Sequence, residues 1–282
     1  MSRHPLFGQV SPEVGVLDER ALSDALAHSP SAGLALLADL TSATDERLRR
    51  AAQAIAPRLV LDRARQGTPR RTGLGRPRPV SAALGGDLDI DSSMESIVTA
   101  SAEARTPSLD ELTARDWGRP ELALAVLLDH SGSMSGARLA AAAVTAAACA
   151  LRTPGQHAVL AFARDVQVIK SLSVDTVPAD TVQAVLRLRG HGMTGLARAL
   201  RAAGDQLRSA RAARRVVVLL SDCRATDEED PLPAATCLSQ LVILAPHDDC
   251  EQAAALAEAS GSRYAAIDGA DSVPVLLEQL LA

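Results

Sequence analysis

Leu122-Ala-Leu-Ala-Val-Leu-Leu-Asp129 runs directly into His130-Ser-Gly-Ser-Met-Ser-Gly136. The first stretch is near-continuous in apolar residues and is bounded by a Gly/Ser turn, which predicts a buried strand of a parallel sheet. Residues Ala137 to Leu151 then show helical periodicity, so the turn joins the carboxyl end of a strand to a helix. Asp129, Ser131 and Ser133 occupy alternate positions of that turn, and their oxygens can converge on one point.

The same grammar repeats outward. HAVLAFAR from His157, RRVVVLLSD from Arg214, QLVILA from Gln240 and RYAAID from Arg263 read as strands. Thr194 to Ser209, His247 to Ala259 and Ser272 to Leu281 read as helices between and after them. Asp165 to Ile169 fits a short antiparallel return at the edge. This alternation predicts an α/β fold with a doubly wound, mostly parallel sheet, whose ligand sites lie at the carboxyl ends of the central strands.

Two further groups arrive at that edge. The loop Gly190-His-Gly-Met-Thr-Gly195 presents Thr194 just before a helix, and the third strand ends in Ser221-Asp222. Five hard oxygen groups from three loops suit a hard cation: Mg²⁺ as first choice and Mn²⁺ as second. A shell rich in neutral hydroxyls leaves much of the metal's charge uncompensated, so an outside carboxylate can take an exchangeable position. His130 and His191, in the same loops, are a poor match to such a site and read as residues at its rim or behind its ligands.

Asp-x-Ser-x-Ser after a hydrophobic strand, a Gly-rich loop with Thr, and a strand-end Asp together resemble the metal-ion-dependent adhesion site of the von Willebrand factor A (VWA) family, over roughly Leu122 to Ala282. The resemblance implies a Rossmann-like fold in which Asp129, Ser131, Ser133, Thr194 and Asp222 hold the metal, directly or through water, and a protein partner offers Asp or Glu. Cys223 departs from the family, which commonly has Gly after the strand-end Asp. The polar helical lead-in is similar to that of bacterial cytoplasmic VWA proteins that work with MoxR-type or magnesium-chelatase-type AAA+ ATPases, which implies such an ATPase as partner.

Upstream, apolar residues at helical spacing predict about three short helices between Val16 and Arg65, with Ser29 to Ser31 and Thr41 to Thr44 supplying caps and Pro57 kinking or ending the last. The expected organisation is a helical region over 1–65, a mobile Arg/Pro/Gly-rich linker over 66–86, a helical connector over 87–121 and the VWA domain over 122–282. The basic linker reads as solvated chain, with binding of phosphate or an acidic partner face as the alternative. Trp117 is expected to pack the connector against the domain. Asp87, Asp89 and Asp91 start like a calcium loop, but Ser92 and Val98 stand where Gly and the bidentate Glu belong.

Composition closes other routes. Aromatic residues are 1% of the chain and the formal net charge is −5, which disfavours base stacking and lacks the positive field of a nucleic-acid binder. No uncharged apolar run approaches a membrane span, and no signal peptide opens the chain, so the cytoplasm is expected. The four cysteines, widely spaced and without a C-x-x-C pair, read as buried free thiols. His247 to Cys250 hints faintly at zinc, but the Asp248/Asp249 pair reads better as a helix N-cap. Gly132 to Gly136 puts Met134 where a hydrolase serine would stand, and no phosphate-binding Gly-x-x-x-x-Gly-Lys motif occurs. The chain is therefore expected to bind rather than catalyse, the alternative being a metal-dependent phosphoester hydrolase.

Overall fold

The computed structural model describes residues 5–66, 77–82, 87–117, 122–132, 136–190 and 192–282. The expectations for Ser133, for His191 and for the side chain of Trp117 lie outside the described residues. Four helices open the chain: α1 (Phe7–Val10), α2 (Glu19–His28), α3 (Pro30–Leu40) and α4 (Glu46–Gln66). Aspartates, not the Ser/Thr clusters, cap two of them. Asp18 Oδ1 accepts from the Arg20 and Ala21 N–H groups at 2.9 and 3.0 Å, and Asp45 Oδ1 from that of Leu48 at 2.9 Å. A carboxylate caps better here because it also faces the positive end of the helix dipole. Ser29 makes no side-chain cap on α3, and α4 continues past Pro57 to Gln66.

Residues Pro69–Glu121 make a unit of their own. It holds β1 (Pro77–Ser81), β2 (Asp87–Leu88), α5 (Ile90–Ala102) and β3 (Thr113–Trp117), with the strands antiparallel in the order β1-β3-β2. A strand thus lies within the stretch expected to be linker, and two within the stretch expected to be helical. The prolines of β1 are tolerated because it is an edge strand, where a missing N–H breaks no inner ladder. Asp89 caps α5 through Ser92 and pairs with Arg115 Nε at 2.7 Å, an interaction that holds its carboxyl down at about 2.

The other unit joins Met1–Thr68 to Leu122–Ala282. Its elements after α4 are β4 (Leu122–Asp129), α6 (Gly136–Arg152), β5 (His157–Phe162), β6 (Val166–Lys170), α7 (Pro178–Leu186), α8 (Leu196–Arg208), β7 (Arg214–Leu220), α9 (Leu232–Thr236), β8 (Leu241–Pro246), α10 (Glu251–Ser260), β9 (Arg263–Ile267) and α11 (Val273–Leu281). The sheet order is β6-β5-β4-β7-β8-β9, with β6 antiparallel to β5 and the remaining pairs parallel. From β4 the chain leaves to β5 on one side and later to β7 on the other, so the order reverses there and opens a crevice.

Alternation along each strand divides the core. Leu124, Val126 and Leu128 of β4 face a cluster with α6, α7 and α11, while Ala123, Ala125 and Leu127 face one with α8, α9 and α10. The first cluster extends outward to Leu34, Leu37, Ala52 and Val60. The N-terminal helices α3 and α4 are therefore a further layer over α6 and α7, inside the same core as the sheet.

Candidate metal centre

β4 leaves the core at Asp129, which is half-buried and accepts three hydrogen bonds. Its Oδ1 takes the backbone N–H of Ser131 at 2.9 Å and the Ser131 hydroxyl at 2.7 Å; its Oδ2 takes the Ser221 hydroxyl at 2.6 Å. Ser221 in turn accepts from the Cys223 N–H at 2.9 Å. This serine stitches the β7 loop to the β4 loop. The sequence shows it only as the neighbour of Asp222; its place at a buried strand end was the available signal.

Asp222 lies on the same wall, its Oδ1 accepting from the Arg224 N–H at 3.0 Å. Burial raises its carboxyl above the ordinary value; the Asp129 and Asp249 charges push the same way, and Arg138 opposes them. Cys223 sits at φ +60°, in the left-handed region where a Cβ is crowded. The residue is buried, and burial pushes its thiol up to about 12.

Thr194 is buried on the neighbouring loop and does not line that wall. Its N–H donates to Thr226 Oγ1 at 2.7 Å and its carbonyl accepts from the Thr226 N–H at 3.2 Å, tying this loop to the one after β7. Glycines are required on either side: Gly192 has φ +81°, and a Cβ on Gly195 would stand 2.9 Å from the Arg164 carbonyl oxygen. Asp227 packs behind Gly195 with one carboxylate oxygen buried and unbonded. His130 is buried, its Nδ1 on the Arg189 carbonyl at 3.3 Å, so of the two expected placements it takes the one behind the site and not the one at its rim.

An unforeseen contact comes from the N-terminal layer. Asp39 of α3 accepts the Gly136 N–H at 2.6 Å, fixing the point where the Asp129 loop becomes α6. Asp129, Ser131 and Asp222 face a cavity of about 750 Å³ that continues past Arg138 to His247, Asp248 and Asp268. The acidic pair expected to cap α10 does not do so: Cys250 is the N-cap residue, Asp248 is exposed and Asp249 pairs with Arg224 at 2.6 Å. All four cysteines are free, but Cys237 is exposed and Cys250 half-exposed, where burial was expected. Among the described residues no group of three or more His, Cys, Asp or Glu could hold a metal. The donors gathered here are carboxylate and hydroxyl oxygens, which fit a hard cation and not zinc.

A family profile described as VWA domain containing CoxE-like protein matches residues 51–271. The chain belongs to this CoxE-like VWA family. VWA domains generally mediate metal-dependent protein interactions. No curated relative matches the chain. Solved VWA-like structures do. Manganese-loaded TRAP protein of Plasmodium vivax is 17% identical with a TM-score of 0.48, over 58% of this chain and 74% of that one. A von Willebrand factor type A structure from Catenulispora acidiphila is 19% identical with a TM-score of 0.46, over 59% of this chain and 43% of that one. An aerotolerance-related membrane protein from Bacteroides fragilis is 14% identical with a TM-score of 0.44, over 58% of this chain and 98% of that one. In this VWA domain the left-handed backbone at Cys223 accounts for Gly being the common residue there. Among the described residues no helix is long and apolar enough to cross a membrane.

Proposed function

We propose that the chain is an adhesion module that holds Mg²⁺, or Mn²⁺ in its place, through Asp129, Ser131, Ser133, Thr194 and Asp222, and binds the carboxylate of an Asp or Glu on a protein partner. The observation that carries this reading is the hydrogen-bonded set of Asp129, Ser131 and Ser221 beside Asp222, at the carboxyl ends of the two central strands and open to a cavity. Bound there, the cation supplies a Lewis-acidic position for an anionic oxygen. Asp129 orients the Ser131 hydroxyl, and Ser221 holds the two strand-end loops at fixed spacing. The partner class is a MoxR-like AAA+ ATPase acting in assembly or remodelling of another protein, in the cytoplasm, where free thiols persist. Catalysis and nucleic-acid binding are not part of this function.

Titration with MgCl₂ under calorimetry, together with capture from lysate of the source cell in Mg²⁺ or EDTA, tests the reading. Saturable binding that Ser131→Ala/Ser133→Ala removes, with an ATPase recovered only by the native chain in Mg²⁺, is the expected result. Recovery that is equal in EDTA would overturn it. His247 lines the same cavity and gives the alternative, a metal-dependent phosphoester hydrolase, one imidazole to act as base. Turnover of p-nitrophenyl phosphate that is lost in both Asp129→Ala and His247→Ala would establish that alternative instead.

A further inference from the structure

The cavity has carboxylates at both ends but a cationic side chain at only one, so its Asp129 end becomes the positive one when a divalent cation is held there. At the end that holds Asp129 and Asp222, Arg138 on the first turn of α6 reaches over the Asp129 loop, with its Nη1 3.4 Å from where a Cβ on Gly132 would stand. At the far end stand Asp248, after β8, and Asp268, after β9. All three side chains are exposed, and none has an ion-pair partner among the described residues. Asp249, by contrast, is already neutralised by Arg224 at 2.6 Å. Between the two ends the lining mixes apolar Leu220, Pro246 and Ile267 with Ser221 and His247.

We infer that this groove takes an extended, polarised partner segment, in which an acidic residue lies at the Asp129 end against the metal and Arg138, and a basic residue lies at the Asp248/Asp268 end. The inference rests on the metal-dependent adhesion reading and adds the partner's second recognition element. Spacing follows from the sheet. Neighbouring strands lie about 4.8 Å apart, so the end of β4, at Asp129, is roughly 10 Å from the end of β8 and roughly 14 Å from that of β9. An extended chain advances about 3.3 Å per residue, which places the two charges roughly three to four residues apart. A basic residue adjacent to the acid would instead meet Arg138 and the cation, and be repelled.

Selection of randomised short peptides displayed on phage against the immobilised full chain, in Mg²⁺ and in EDTA, tests this. The expected Mg²⁺-dependent winners pair Asp or Glu with Lys or Arg three or four positions away. Replacing that base with Glu weakens a winning peptide about five- to tenfold, as two exposed ion pairs are lost. The Asp248→Lys/Asp268→Lys variant, checked for an unchanged melting temperature, should reverse the preference at that position to an acid. Mg²⁺-dependent winners with an acid but no spaced base, or a preference the variant leaves unchanged, would overturn this inference while leaving the adhesion reading intact. Winners indifferent to EDTA, or none at all, would overturn both.

Discussion

Asp39→Ala removes the single carboxylate by which α3 holds the start of α6. The bond to the Gly136 N–H, 2.6 Å long, is charge-assisted, and such bonds contribute about 1.5 to 3 kcal/mol when well shielded. Asp39 also faces the positive end of a helix running from Gly136 to Arg152, worth about 0.3 to 1 kcal/mol more. Both groups are half-exposed, so solvent screening reduces the sum to about 1 to 2 kcal/mol. For a chain of this size that corresponds to a fall in melting temperature of about 2 to 8 °C. Differential scanning calorimetry of the wild type, Asp39→Ala and Asp39→Asn reads it directly. Asn keeps an acceptor oxygen and loses the charge, so it should fall between the other two. Melting of Asp39→Ala within about 1 °C of wild type, half the smallest fall expected, would refute the argument that this carboxylate anchors the loop, as would an Asn variant less stable than the Ala variant.

Cys223→Gly should exceed Cys223→Ala in stability by about 1 to 2 kcal/mol in urea unfolding, since Gly relieves the left-handed backbone at φ +60° and Ala does not; an Ala variant at least as stable as the Gly variant would contradict this. His157 is buried, its Nδ1–H donating to the Thr153 carbonyl at 3.0 Å, and burial, aided by the Lys170 charge, lowers its folded value below 6.5. The unfolded chain then binds the proton first, so stability should drop as pH falls below about 6.5, with a shallower drop in His157→Gln; parallel pH profiles for the two proteins would disprove it. Leu37→Ala, at a position 1% exposed, should cost about 2 to 5 kcal/mol and lower a single transition seen by every probe; a separate early transition would show that the N-terminal helices do not fold with the sheet.

The strands were legible because their chemistry is local. LALAVLLD and RRVVVLLSD have no amphipathic alternative, and α8 between strands carries a clear apolar stripe. Asp129, Ser131 and Asp222 were legible for the same reason: a strand end and a turn fix where they point. Ser221 and Asp39 were not, since each matters through a partner far along the chain, at Asp129 and at Gly136. The β1 strand was hidden by its prolines, which local propensity reads as linker and which only pairing with β3 makes permissible. The capping aspartates Asp18 and Asp45 were within reach of local rules, but the Ser/Thr clusters nearby competed for the same role.

One signal for the added layer was present in the composition of α6. Every residue from Leu139 to Ala150 is buried, and all but Thr145 are apolar or Cys. A helix that covers one face of a sheet needs an apolar stripe; one that is apolar all round needs cover on its outer side as well. Its many alanines let a second set of helices approach closely, which is how α3 and α4 come to share the core of the sheet. That cover has a functional consequence. With α6 shielded by the N-terminal helices and the opposite face of the sheet packed against α8, α9 and α10, the cavity at the strand ends stays open, and the loop that forms one wall of it is held from behind by Asp39. On the proposed adhesion function the N-terminal layer bears on binding through the loop it braces, so Asp39→Ala should weaken Mg²⁺-dependent partner capture even though, among the described residues, α3 contributes none to the cavity.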